Sequence, residues 1–126
     1  MLNEFRNYLK STPDVEISKE DNNTISFSYK SYHLLFIYDS TDPYYFRLIL
    51  PNIINLKDLK KDIGDIVNDY NSKFKVSKMT VVDNNSLWIS VEQFVYTKDK
   101  VNELFDRLVN LIVVVADNFR REHLNK

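Results

Sequence analysis

Thr24-Ile25-Ser26-Phe27-Ser28-Tyr29 alternates strictly between polar and apolar side chains, and Tyr32-His33-Leu34-Leu35-Phe36-Ile37-Tyr38 follows it, apolar at nearly every position. The alternation predicts a strand with Ile25, Phe27 and Tyr29 on one face. The near-continuous apolar run predicts a central strand covered on both sides. Upstream, Val15 and Ile17 alternate with polar partners ahead of Glu20-Asp21-Asn22-Asn23, which has turn chemistry. Leu2, Phe5, Arg6 and Leu9 have helical spacing, and Ser11-Thr12-Pro13 stops them, so a short helix is expected over residues 2–10. Downstream, Asp39-Ser40-Thr41-Asp42-Pro43 turns the chain into a further strand over residues 44–50, closed by Pro51.

The second half changes period. Asn55 is a good N-cap for a helix that carries Leu56, Leu59, Ile63, Ile66, Val67 and Tyr70 on one face. Residues 75–82 and 87–95 read as a hairpin around Asp83-Asn84-Asn85-Ser86. Thr97 is placed to cap the last helix, with Asp99 favourable in its first turn. The order α-β-β-β-β-α-β-β-α predicts an α+β fold, an antiparallel sheet with a long C-terminal helix packed on it. No linker or repeat breaks the chain, so residues 1–126 are read as a single domain.

That last helix asks most of its surroundings. From Lys98 to Leu124 the spacing stays helical, with Val101, Leu104, Phe105, Leu108, Leu111, Ile112, Val115 and Phe119 on one stripe. Residues 98–124 would reach about 40 Å, against a diameter of roughly 35 Å for a compact chain of this length. A second apolar set, Val109, Val113 and Ala116, lies round from that stripe, and Val114 sits on the other flank. One sheet face does not cover so much apolar girth. The N-terminal helix, a second copy of the chain or a partner protein must supply the rest. The run Ile112-Val113-Val114-Val115 is β-branched throughout, so packing must hold it helical.

Composition narrows the chemistry. One Gly, no Cys and two His in 126 residues leave no Gly-rich phosphate loop, no thiolate zinc site, no thiol nucleophile and no three-His metal site. The net charge of −1 and the pI of about 6.1 supply no long-range attraction for nucleic acid or anionic lipid. The longest apolar run, Leu111 to Ala116, is far below the ~20 residues of a membrane helix. The N-terminus has no signal-peptide pattern. A cytoplasmic protein without membrane contact, cofactor or metal is expected.

The remaining candidates each have a plainer reading. Asp58, Asp62, Asp65 and Asp69 share a face of the predicted second helix, but Lys57, Lys60 and Lys61 interleave with them and nothing fixes ligand geometry. A solvated face is expected. Gly64 falls inside that helix, which points either to a close backbone approach or to a tolerated surface glycine. His33 lacks a nominated partner for general-base work. His123 lies among Arg120, Arg121 and Lys126, where cations suit a helix C-terminus. Glu92 and Asp39 have no spacing that supports carboxylate catalysis. No catalytic residue is therefore assigned. Tyr29, Tyr32, Tyr38, Tyr44, Tyr45 and Phe46 put many rings on one sheet, and with Arg47, Lys73, Lys75 and Lys78 they raise an alternative, single-strand nucleic-acid binding.

Three stretches carry a family resemblance. They are Asp42-Pro43-Tyr44-Tyr45-Phe46 entering a strand that ends at Leu50-Pro51, the segment Val67-Asn68-Asp69-Tyr70-Asn71-Ser72-Lys73-Phe74-Lys75-Val76-Ser77-Lys78, and the closing hairpin with its long helix. With the element order they cover nearly the whole chain, and the chain resembles the YbjN-type branch of the type III secretion chaperone-like fold. The resemblance implies an α+β domain, often dimeric, that acts by binding protein and not by catalysis. Secretion chaperones of this fold hold extended cargo segments, and YbjN-type proteins carry the label of sensory transduction regulators. The resulting expectation is a non-enzymatic interaction module, chaperone-like or regulatory. It would be a homodimer that binds a protein partner or cargo segment through Val109, Val113, Val114 and Ala116.

Overall fold

A computed structural model describes residues 1–59, 62–83 and 85–124. Lys60, Lys61, Asn84 and Lys126 of the sequence reading lie outside the described residues. The elements run α1 (Leu2–Ser11), β1 (Val15–Glu20), β2 (Thr24–Tyr29), β3 (Tyr32–Tyr38), β4 (Tyr45–Leu50), a 3₁₀ turn (Leu56–Asp58), α2 (Ile63–Lys73), β5 (Lys78–Val82), β6 (Ser86–Phe94) and α3 (Val101–His123). The strands form one six-stranded sheet in the order β1-β2-β3-β4-β6-β5, antiparallel throughout. The α+β class and the long C-terminal helix are as expected.

All three helices pack on the same sheet face. Phe5, Tyr8 and Leu9 of α1 are buried, and Phe5 stacks on Phe36 of β3 at 4.1 Å while meeting Phe105 of α3 edge-on at 4.9 Å. At the other end of α3, the Tyr70 ring of α2 lies 6.0 Å from Phe119. Inward residues of alternate parity complete the core: Ile25 and Phe27, Leu34 and Phe36, Phe46 and Leu48, Leu87 and Ile89. Tyrosine hydroxyls from the surrounding elements reach the polar edges of α3. Tyr8 donates to Asp106, Tyr29 to Asn110, Tyr32 to Asp117 and Tyr70 to Glu122.

The other sheet face carries no helix, which corrects the expectation for β3. Tyr32, Leu34 and Phe36 are buried, but His33 is exposed and Leu35 and Ile37 are half-buried. The apolar run reflects an interior position in the sheet, not a cover on both sides.

The second helix is also shorter than its periodicity. Asn55 does cap, accepting from Lys57 N–H at 3.1 Å, but it opens only a 3₁₀ turn, and Asp62 caps α2 anew by accepting from Gly64 N–H at 2.8 Å. Gly64 therefore sits in the first turn and not in a helix interior. Gly64 is exposed, and a Cβ there would meet only the capping side-chain oxygen of Asp62, at 3.2 Å, so no other backbone approaches it.

The last helix starts at Val101 and not at Lys98. Thr97 Oγ1 accepts from Asp99 N–H at 3.2 Å, and Lys100 turns through a left-handed φ of 56°, so the cap is a separate turn. Its 23 residues span about 35 Å, the width of the domain. Strand β5 begins at Lys78 because Lys75–Ser77 closes a tight turn with Val76 at φ 75°. Asn71 of α2 covers the outer edge of β5, accepting from Met79 N–H at 2.7 Å and donating to Met79 C=O at 3.1 Å.

Candidate interaction surface

The surface proposed from the sequence is mostly core. Val109, Val113 and Ala116 are 1%, 4% and 0% exposed, enclosed with α1 and the sheet in the main hydrophobic cluster. Val114 is 52% exposed, a single apolar side chain on the outward face of α3. Of the covers the apolar girth allows, the N-terminal helix is present: α1 packs on α3 through Phe5 and Phe105, and α2 adds Tyr70 against Phe119.

A different apolar surface emerges on the uncovered sheet face. The turn before β4 is built by two aspartates. Asp39 accepts from the Thr41 N–H at 2.9 Å and from its hydroxyl at 2.6 Å, and Asp42 accepts from Tyr44 N–H at 3.1 Å. The Thr41 hydroxyl and then its N–H hold the Asp39 carboxyl below the ordinary range. This turn delivers Tyr44 and Tyr45 beside the end of β6, where Val95 N–H donates to Tyr44 C=O at 2.6 Å and Tyr45 faces Phe94. Because β4 and β6 are in register, Tyr45, Arg47 and Ile49 share the open face with Phe94, Glu92 and Ser90.

The rings form a continuous ladder. Tyr45 and Phe94 lie 5.8 Å apart, Phe94 and Tyr96 stack at 6.2 Å, and Tyr96 meets Tyr44 at 5.2 Å. Tyr44, Phe94 and Tyr96 are 49%, 55% and 75% exposed. Burial and then the neighbouring Glu92 carboxylate push the Tyr45 hydroxyl up to about 12. Next to the ladder lies a groove of about 280 Å³ lined by Met1, Tyr38, Pro43, Tyr44, Tyr96 and Lys98, among others. The cations nearby are engaged. Lys98 is paired with Glu4, and Arg47 Nε lies 3.1 Å from Glu92 Oε1.

The remaining candidates resolve into structural roles. Tyr29, Tyr32 and Phe46 are buried and Tyr38 is half-buried, so the tyrosine-rich sheet is divided between core and surface. Lys73 pairs with Glu122 at 3.4 Å, and Lys78 lies on the far edge strand. Asp62 is a helix cap, whereas Asp65 and Asp69 are exposed on α2. Asp58 belongs to the separate 3₁₀ turn, its side chain outside the described residues, so the four-carboxylate helix face does not form. Among the described residues no cluster of metal-ligating side chains occurs. His33 Nδ1 lies 2.9 Å from Ser28 Oγ across the β2–β3 ladder. No carboxylate orients that exposed pair among the described residues. His123 packs its ring on Phe119 at 5.1 Å.

Sequence reasoning did not single out Phe94 and Tyr96. The signal was present: Trp88, Ser90, Glu92 and Phe94 share the parity opposite to the core residues Leu87, Ile89 and Val91, so an aromatic at position 94 is apolar on a solvent face.

No protein-family model matches the chain, and no curated protein matches it. Among solved structures it is similar to an uncharacterized protein from Methanothermobacter thermautotrophicus, with a TM-score of 0.61 at 12% identity. The alignment covers 95% of this chain and 96% of that one. At that identity the likeness extends to the fold alone. Among the described residues no helix is long and apolar enough to cross a membrane.

Proposed function

We propose that the chain is a non-enzymatic protein-interaction module that holds a segment of a partner protein on the aromatic ladder of its open sheet face. One observation carries this reading: Tyr44, Phe94 and Tyr96 are 49%, 55% and 75% exposed, and Tyr96 contacts the other two rings. Clustered tyrosine and phenylalanine are enriched where proteins meet, since a stiff ring offers much contact area for little lost entropy. These three rings expose about 350 Å², as large as the biggest apolar patch of many monomers. A stable interface between folded proteins takes roughly 800 Å² per partner. The ladder is less than half that, which fits a short extended segment better than a second folded copy. The resemblance to secretion chaperone-like proteins points the same way.

Selection of a random-peptide display library tests the reading. Related sequences are expected to enrich on the wild-type protein and to be lost on a Phe94→Ser, Tyr96→Ala variant that keeps the wild-type melting temperature. Equal enrichment on both proteins, or none on either, would overturn it. Salt-sensitive binding of a single-stranded oligonucleotide, abolished by Tyr44→Ala, would instead assign the rings to nucleic acid.

A further inference from the structure

We infer that a cleft at the other end of β4 from the aromatic ladder binds a small organic carboxylate, an acid group on a short apolar body. This goes beyond the protein-binding reading and does not depend on it.

The cleft opens because β3 and β4 separate. Their ladder ends at the Leu35–Ile49 pair, although β3 reaches back to Tyr32 and β4 on to Leu50. Carried further, the register would set Pro51 opposite His33, and proline has no N–H to give a ladder. Asn52 then turns through a left-handed φ of 55°, and the chain stays with β6, Ile53 N–H donating to Leu87 C=O at 2.8 Å. Between the start of β3, residues 50–53 and the end of α3 there remains a cleft of about 290 Å³. That is close to the size at which small-molecule sites begin.

Its lining is of two kinds. Leu50, Pro51, Ile53 and Leu124 supply apolar surface beside the Tyr32 ring. The other side chains, Ser31, His33, Asn52 and Arg120, can all donate a hydrogen bond, and no carboxylate lines the cleft among the described residues. Asn52 Oδ1 accepts from Trp88 Nε1 at 3.3 Å, a bond that leaves the amide NH₂ unused. Arg120 lies over the Tyr32 ring, 5.6 Å from its centroid, and forms no ion pair among the described residues. Asp117, one turn earlier on α3, accepts from the Tyr32 hydroxyl at 2.5 Å and is not on the lining. Arg120 and Arg121 set positive charge against the carbonyl end of α3.

Stacking on a ring orients a guanidinium and leaves its in-plane N–H groups for a pair of oxygens. A carboxylate matches that fork with two parallel hydrogen bonds. A cation among donors, with no acidic side chain on the lining, therefore suits an anion. The apolar half of the lining suits a hydrocarbon body, which inorganic phosphate lacks.

Titration of the isotope-labelled protein with hexanoate, followed by amide chemical shifts, tests the site. Saturable shifts at Ser31, His33 and Ile53 are expected, with a dissociation constant on the order of 1 mM, while Phe94 and Tyr96 stay in place. Hexanamide, which has the same shape without the charge, should bind about tenfold more weakly. Arg120→Gln, at an exposed position, should remove that difference. Asn52→Asp keeps the oxygen that accepts from Trp88 and sets a carboxylate on the lining, so it should weaken hexanoate about tenfold as well. No saturable shift, shifts centred on other residues, or equal binding of acid and amide overturns the inference. So does an acid preference that survives Arg120→Gln or hexanoate binding untouched by Asn52→Asp. Inorganic phosphate binding tighter than hexanoate overturns it too, because the apolar lining would then have no part in recognition.

Discussion

Replacing Phe5 by alanine measures whether α1 truly belongs over α3. The Phe5 ring is fully buried, stacked on Phe36 with an interplanar angle of 11° and set edge-on to Phe105 at 79°. Truncating a core phenylalanine to alanine costs about 3–5 kcal/mol, through lost transfer energy and the cavity left behind. Favourable ring pairs add about 0.5–1.5 kcal/mol each beyond buried area. Phe5 has four ring contacts, with Tyr8, Phe27, Phe36 and Phe105, and with all of them lost the cost belongs in the upper part of that range, about 4–5 kcal/mol. A protein of this size has a total stability of the order of 10 kcal/mol, so the variant should unfold at a much lower urea concentration. Phe5→Leu keeps most of the apolar volume but loses the ring pairs, and should cost about 2–3 kcal/mol.

Urea unfolding followed both by circular dichroism and by the fluorescence of Trp88, the single tryptophan, provides the assay. Trp88 lies on the sheet in β6 and Phe5 on α1, so coincident transitions show that helix and sheet unfold together. A cost below about 1 kcal/mol for Phe5→Ala would refute the packing of α1 over α3. A wild-type midpoint that rises with protein concentration, together with that small cost, would show a second copy sharing the cover of α3. In that event Val109, Val113 and Ala116 would again be candidates for an interface.

Smaller perturbations have equally definite outcomes. Lys30 and Ser31 form the two-residue β2–β3 turn with φ of 50° and 71°, so Ser31→Gly should raise stability by about 0.5–1 kcal/mol in thermal melts, and Val76→Gly, at φ 75° on a β-branched residue, by somewhat more. The Lys98 ammonium holds the Glu4 carboxyl down to about 2 from an ordinary 4.5, so its contribution is complete above 4.5 and is lost as pH falls toward 2. Glu4→Gln should flatten the urea midpoint against pH in that window. Burial, and then the carboxylates beside them, raise the hydroxyl pKa of Tyr8, Tyr32 and Tyr70 above the ordinary 10.0. Their contribution is complete below pH 10 and is lost as pH rises through the higher folded values, so tyrosinate absorbance from these residues should appear together with loss of circular dichroism, and ionisation with the fold intact would contradict it. Asn71→Ala removes both hydrogen bonds to the β5 edge and should cost about 2 kcal/mol in urea unfolding.

The elements were legible where local pattern and tertiary role agree. Strict alternation in residues 24–29 matches a strand with one buried face, and the β2 and β3 boundaries follow from it. Legibility failed where a short polar contact overrides periodicity. Leu56, Leu59 and Ile63 keep helical spacing, yet the Asp62 cap on Gly64 restarts the helix between them, and the same sequence supports either outcome until packing is fixed. In the run Ile112-Val113-Val114-Val115, whose β-branched residues do not hold a helix alone, Ile112, Val113 and Val115 are buried and Val114 is exposed. Its spacing does not say whose atoms provide that cover: Ile112, Val113 and Val115 are buried in the core that α3 shares with α1 and the sheet, and Phe5, 100 residues before Phe105, packs on the same helix. The candidate surface has the same origin. Each strand's parity tells which of its residues share a face, but the Tyr45–Phe94 contact depends on β4 lying beside β6 and in this register. A one-residue slip in that pairing would send either ring to the opposite face. The ladder is thus a property of long-range pairing: the aspartate turn sets where β4 begins, the register with β6 decides that Tyr45 and Phe94 meet on the side the helices leave open, and Tyr96 and Tyr44 continue the rings past the strand ends.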